Sequence, residues 1–271
     1  MENPVLVQKA GRRYRSKIPL FLFHDGGGTV LPYYFLESLG RDVWGISYPH
    51  LHDGGKFENG IKEMGQFYAG LIRGKVSKGK IFLGGTLSKD PMLNIHEGWS
   101  AGGSISIQVA RCLDSIPEIE VAGIIMLDTP FPDFPDWRPK DAPPPQFHIP
   151  LVPDETAKNK LAQQQAVNDI IHALSIWELP NWDNTRLIRS KRPPPTVFIR
   201  ALETVPTEKV VEVDWFREER CLGWHKYPYD FILEEIRVEG DHFSIFSAQC
   251  LPDLNAKLRA GCEILESSIT I

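Results

Sequence analysis

Short apolar runs rich in β-branched and aromatic residues alternate along this chain with longer stretches at helical spacing. Pro19-Leu20-Phe21-Leu22-Phe23 is continuously apolar and runs into a glycine cluster, the pattern of a strand buried on both faces. Val43-Trp44-Gly45-Ile46 is a second such run, closed by Tyr48-Pro49. Phe57, Ile61, Met64, Tyr68 and Leu71 follow at intervals of 4, 3, 4 and 3, one face of a helix. A strand is expected around Leu93–His96, and Ile105, Val109 and Leu113 then continue at helical spacing. Val121–Leu127 reads as another buried strand, Thr196–Leu202 and Phe231–Val238 as the last two, and Leu254, Leu258 and Leu265 lie on a closing helix. Strands alternating with helices predict an α/β fold: a mostly parallel sheet with helices on both faces.

One region breaks the rhythm. Nine prolines fall between Pro130 and Pro153, including Pro143-Pro144-Pro145, so regular structure is not expected there. Asp154 is placed to cap a helix striped by Ala157, Leu161, Val167, Ile171 and Leu174. Pro193-Pro194-Pro195 ends the excursion just before the penultimate core strand. The whole chain, residues 1–271, then reads as a single domain carrying a cap at about 130–193.

Composition narrows the class. The 271 residues are 42% hydrophobic and 24% charged, ordinary for a globular protein, and a chain of this length needs no metal or disulfide staple. A net charge of −5 argues against broad binding to nucleic-acid phosphates. No apolar stretch approaches the roughly 20 residues needed to cross a bilayer. The basic start MENPVLVQKAGRRYRS lacks the apolar segment of a signal peptide. Four scattered cysteines, Cys112, Cys221, Cys250 and Cys262, without CxxC pairs, read as reduced thiols of a cytoplasmic protein.

Chemistry concentrates at four places. Gly98-Trp99-Ser100-Ala101-Gly102 is a Gly-x-Ser-x-Gly pentapeptide between an expected strand and an expected helix. A serine on that sharp turn exposes its hydroxyl, and the helix that follows aims amides and a positive dipole end at an oxyanion. The base expected for Ser100 is His242 in Gly240-Asp241-His242-Phe243, the one histidine C-terminal to the final strand. Two acids compete to orient it: Asp128, which ends the strand after the serine's helix, and Glu203, which ends the next one. The oxyanion would be held by the amide of Ala101 and by that of Asp25 or Gly26, in the loop His24-Asp25-Gly26-Gly27-Gly28. The glycine run lacks the Lys-Ser/Thr of a phosphate-binding loop. His50-Leu51-His52-Asp53 has no further ligand at metal spacing, and Asp114-Ser115-Ile116 sits in a helix–strand crossover with no room for a carrier bundle, so neither metal nor cofactor is expected.

With these residues placed, the sequence resembles the thioesterase family of polyketide and peptide synthases, the fungal members above all. Leu20–Gly28, Gly98–Gly103, Met126-Leu127-Asp128-Thr129-Pro130 and Gly240–Ser244 carry the resemblance, in order and spacing, from about residue 18 to residue 265. It implies an α/β-hydrolase fold, Asp128 rather than Glu203 as the acid, and an acyl carrier protein, bearing its substrate as a phosphopantetheine thioester, as the partner. It also implies a free-standing hydrolase acting in trans, because no carrier domain accompanies the chain. The acyl-enzyme of such a protein is resolved by water, by a substrate hydroxyl to a lactone, or by a carbanion in Claisen or aldol chemistry. Phe131, Phe134, Trp137, Trp177 and Trp182 in the cap region serve either to exclude water or simply to pack the cap. A carboxylesterase and a non-catalytic acyl-binding module are the competing readings.

Overall fold

A computed structural model describes residues 2–14, 17–85, 100–133, 155–183, 190–208 and 210–269. Its frame is a seven-stranded sheet in the order β1-β3-β2-β4-β5-β6-β7. The strands are β1 (Val5–Gln8), β2 (Leu20–Phe23), β3 (Val43–Ile46), β4 (Gly79–Gly85), β5 (Ile119–Leu127), β6 (Thr196–Ala201) and β7 (Ile232–Val238). All neighbours run parallel except β1, which pairs antiparallel with β3.

The continuous apolar runs follow from burial on both faces. Phe21 and Phe23 of β2 feed one core, whereas Leu20 and Leu22 feed the other. Met126 and Phe198 share the first core, and Ile125, Leu127, Val197 and Ile199 the second. The first core is closed by α1 (Gly60–Lys75), α2 (Ala101–Leu113) and α3 (Glu155–Ser175), and the second by α4 (Leu251–Ile269) with the short 3-10 turn Leu31–Phe35. Phe21, Phe23, Phe82 and Phe198 are fully enclosed, each contributing roughly 1.5–3 kcal/mol relative to exposure.

The central strand differs from the sequence reading. Between β2 and β5 lies Gly79–Gly85, which the hydrophobic pattern does not single out, while Leu93–His96 lies outside the described residues. Glycine ends β4 because neighbouring backbones crowd it. A Cβ on Gly84 would stand 2.8 Å from the Ile125 carbonyl, and one on Gly85 3.0 Å from Cα of Gly102 and 3.1 Å from the Phe23 carbonyl. The first turn of α2 therefore rests on the carboxyl end of β4, with Ser100 just ahead of it as N-cap.

In the chain between β5 and β6, α3 buries Gln164, Ala166, Val167, Ile170, Ile171 and Leu174. Leu161, expected on that stripe, is 62% exposed, because the packed face begins three residues later. Asp154 and the proline triplet at 143–145 lie outside the described residues. Among the described residues no helix is long and apolar enough to cross a membrane.

Candidate active site

Three loops at the carboxyl ends of parallel strands converge where α2 begins. The first leaves β5 through Asp128, whose φ of 42° is uncommon outside glycine but within reach of aspartate. Its backbone N–H donates to the Ile199 carbonyl at 2.7 Å, which fixes the side chain over the sheet edge. Asp128 and His242, from the loop after β7, are both fully buried, and Nδ1 of His242 lies 2.7 Å from Oδ2 of Asp128. A carboxylate accepts only, so Nδ1 carries the proton. Glu203, the other acid considered from sequence, is exposed, and among the described residues it joins the His242 loop through its amide, which donates to the Gly240 carbonyl at 2.9 Å.

Asp128 has a further partner that sequence reasoning missed. Arg217 grips it with both arms, Nη1 to Oδ1 at 2.8 Å and Nη2 to Oδ2 at 2.9 Å, and the Ala201 amide donates to Oδ1 at 2.8 Å. Burial pushes the Asp128 carboxyl upward, but the bonds and charges of His242 and Arg217 more than reverse this and hold it well below the usual carboxylate range. Arg217 is itself held by Asp214, Nε to Oδ1 at 2.8 Å. Both sit in Val210-Val211-Glu212-Val213-Asp214-Trp215-Phe216-Arg217-Glu218-Glu219-Arg220, a charged run that reads in sequence as solvated surface. The apolar Val213 beneath it, 1% exposed, was the available sign that this segment is anchored.

The same segment braces the rest of the β5 exit. Cys221, Leu222 and Gly223 take three consecutive positive φ values of 47°, 49° and 89°, a left-handed turn. That turn presents the Leu222 carbonyl to the Phe131 amide at 2.9 Å and carries Trp224, whose Nε1 donates to the Thr129 carbonyl at 2.8 Å.

Ser100 is 2% exposed. Its hydroxyl donates to the Leu127 carbonyl at 3.2 Å and lies 3.3 Å from Oγ1 of Thr129. The consecutive residues Leu127, Asp128 and Thr129 thus touch both the serine and the histidine. Nε2 of His242 is buried and has no hydrogen-bond partner among the described residues. Thr129 fits against α2 only because residue 103 is glycine, since a Cβ there would come within 2.6 Å of Thr129 Oγ1. Gly98 and Trp99 lie outside the described residues.

The third loop follows β2. Buried His24 has Nδ1 2.7 Å from the Asp25 carbonyl and Nε2 2.7 Å from the Tyr68 hydroxyl, so the ring donates to the first and accepts from the second. Burial lowers its pKa to about 4, with the bond to Asp25 opposing, so the ring is neutral. The Asp25 amide donates to the Thr29 carbonyl at 2.9 Å, and its carboxylate accepts from the amide and hydroxyl of Thr29 at 2.8 and 3.0 Å. Among the described residues the Gly26 amide has no hydrogen-bond partner.

Of the aromatics expected near the cap, Trp177 and Trp182 are tied to the body of the protein. Trp177 Nε1 donates to Gln108 at 2.9 Å, and Trp182 Nε1 to the Tyr227 hydroxyl at 2.8 Å. Phe131 packs edge-on against Trp224, whereas Phe134 and Trp137 lie outside the described residues.

Sheet order, a buried Asp–His pair on the loops after β5 and β7, and a serine at the head of α2 define an α/β-hydrolase. Solved structures share the fold. The NocB thioesterase domain from the nocardicin cluster matches with a TM-score of 0.60 at 19% identity, over 92% of this chain and 95% of that one. The Vlm2 thioesterase domain matches with a TM-score of 0.62 at 18% identity, over 96% and 97%. In sequence the chain is 72% identical to a probable thioesterase, BOA10, of Botryotinia fuckeliana (strain B05.10), over 98% of this chain and 92% of the relative. It is 33% identical to thioesterase frbE of Dothideomycetidae sp. (strain 11243), over 99% and 98%, and 32% identical to thioesterase AMT4 of Alternaria alternata, over 98% and 94%. The chain belongs to this family of fungal thioesterases. No family model matches it.

Proposed function

We propose that this thioesterase works through an acyl-enzyme on Ser100, acting in trans on an acyl or polyketide chain carried as a thioester on a carrier protein's phosphopantetheine arm, in secondary-metabolite biosynthesis. The observation that carries the reading is the buried Asp128–His242 pair, 2.7 Å apart, with the second ring nitrogen unpartnered among the described residues and Ser100 bonded to Leu127, next to Asp128.

In this mechanism the Ser100 hydroxyl turns from the Leu127 carbonyl to Nε2 of His242, a tightening that belongs to the substrate complex. Oγ attacks the thioester carbonyl as Nε2 takes its proton, and Asp128 keeps Nδ1 protonated and stabilises the imidazolium. The oxyanion is held by the Ala101 amide, where the dipole of α2 adds to the attraction, and by one amide of the β2 loop. The Asp25 amide is occupied by Thr29, so Gly26 serves in that loop. The C–S bond breaks as the imidazolium protonates the leaving thiolate. Water, deprotonated by the same nitrogen, then releases the carboxylic acid and restores Ser100. Residues 130–193 form the cap of a single domain and choose the acyl chain, and neither cofactor nor metal takes part.

Intact-mass spectrometry of the wild type and Ser100→Ala with short acyl and β-ketoacyl thioesters tests the reading. An acyl adduct on the wild type alone, with free acid as product, is the expected result. Faster turnover of the matching oxygen ester would point to a carboxylesterase. Absence of both adduct and thioester loss would leave a binding module.

A further inference from the structure

Arg217 is held within one buried cluster. Nε bonds Asp214 at 2.8 Å, Nη1 bonds Asp128 and the Ala201 carbonyl at 2.8 and 3.1 Å, and Nη2 bonds Asp128 at 2.9 Å and pairs by charge with Asp214 at 2.7 Å. A guanidinium offers its N–H groups in a fixed fork, so bonds to two carboxylates and a carbonyl fix its orientation. The side chain of Arg217 is 5% exposed and that of Asp214 3%, and Asp128 and His242 are fully enclosed. Asp214 is anchored in turn by the Val205 amide at 2.7 Å.

Charge gives the arrangement a purpose beyond packing. A lone arginine on Asp128 would cancel the negative charge that an imidazolium at His242 needs. Asp214 returns a second carboxylate to the cluster, so two anions and one cation carry one net negative charge, which a protonated His242 neutralises. Other acids near His242 are engaged elsewhere or face solvent. Asp241, on the same loop, binds the Phe243 amide and the Ser244 hydroxyl, and Glu203 at the β6 exit is exposed.

We infer that Arg217 and Asp214 are positioning residues for the reaction: Arg217 holds both oxygens of Asp128 in the orientation that meets His242 Nδ1, and Asp214 balances Arg217 so that Asp128 keeps its charge for the imidazolium. The inference rests on the acyl-enzyme reading above and names two residues that reading does not require.

The test uses the full chain as wild type, Arg217→Lys, Arg217→Gln and Asp214→Asn. Hydrolysis of an acyl-N-acetylcysteamine thioester is followed from pH 5 to 9, with fluorophosphonate labelling of Ser100 and thermal melting in parallel. Both Arg217 variants are expected to lose kcat by about tenfold or more, the loss that 1.4 kcal/mol of misalignment produces, while KM stays within about twofold. Arg217→Gln removes a cation, so the acid limb of kcat/KM moves to higher pH. Asp214→Asn removes an anion, so that limb moves to lower pH, and Arg217→Lys leaves it in place. Opposite displacements are the signature that a merely structural brace does not produce. An active, labelled wild type whose folded variants keep kcat and the acid limb, even with lower melting temperatures, would overturn the inference alone. If the Arg217 variants do not fold, Asp214→Asn decides: a displaced limb supports the inference and an unmoved one overturns it. A wild type that neither labels nor turns over removes the acyl-enzyme reading and the inference with it.

Discussion

Acidification from pH 7 to pH 5 should destabilise the protein through His24. The ring is fully buried between the Asp25 carbonyl and the Tyr68 hydroxyl, and burial lowers its pKa to about 4. An unfolded histidine titrates near 6.5, so as pH falls below that value the unfolded chain binds a proton that the folded chain refuses. Stability is therefore complete above about pH 6.5, is lost as pH falls toward 4, and levels off below. With those two values the loss between pH 7 and pH 5 is about 2 kcal/mol, and it saturates at about 3 kcal/mol at lower pH. For a domain of this size that corresponds to roughly 4–8 °C in melting temperature. The assay is thermal unfolding by circular dichroism at pH 7, 6 and 5, on the wild type and on His24→Asn, which keeps a donor toward Asp25 but does not titrate. The variant starts less stable, having abandoned Tyr68, yet its decline over this range should be shallower by about 2 kcal/mol. Parallel declines would refute the assignment, since the lost stability would then arise at other groups.

Two further outcomes follow from the site. Asp128→Asn should cut kcat by about 10⁴-fold, as expected for an acid that fixes an imidazole tautomer, and lower the melting temperature because its amide would face the donors of Arg217, His242 or Ala201, whereas Glu203→Gln should retain turnover within about twofold. Equal losses in the two variants, measured by steady-state thioester hydrolysis, would reopen the choice of acid. Gly103→Ala pushes a methyl to within 2.6 Å of Thr129 Oγ1, so it should cost about 1–3 kcal/mol of stability and displace Thr129 from Ser100. Unchanged melting and unchanged turnover would show that the contact yields freely.

Legibility in sequence tracked the range of the interaction involved. β2, β5 and β6 stood out because both faces of each are buried, which leaves unbroken apolar runs. β4 was missed because its tail is Gly84-Gly85, chosen for the backbones pressed against it, and glycine carries no hydrophobic signal. The serine and histidine loops were legible because each chemical group sits in a short local motif. The choice between Asp128 and Glu203 came from the family resemblance, since spacing alone left both open. Arg217 and Asp214 left no local trace: their partners lie 89 residues away at Asp128 and 9 away at Val205, and in sequence they dissolve into a charged surface run. The Asp25 amide looked available for the oxyanion until the turn that consumes it, closed by Thr29, was visible.

The contact between α3 and the β2 loop links two things usually treated apart. A Cβ on Gly28 would stand 3.3 Å from that of Ala166, Gly27 faces Gln163 at 3.6 Å, and Tyr48, whose amide is tied to the Gly28 carbonyl, bonds Asp169 at 3.3 Å. In the proposed reading α3, a helix of the cap, is thus also the outer wall of the loop that would hold the oxyanion. If the proposal holds, exchanging the cap to admit a different acyl chain would disturb the amides proposed to hold the oxyanion. On that proposal substrate range and rate are not independent variables, and adapting the protein to a new chain means retuning Gly26–Gly28 and α3 together.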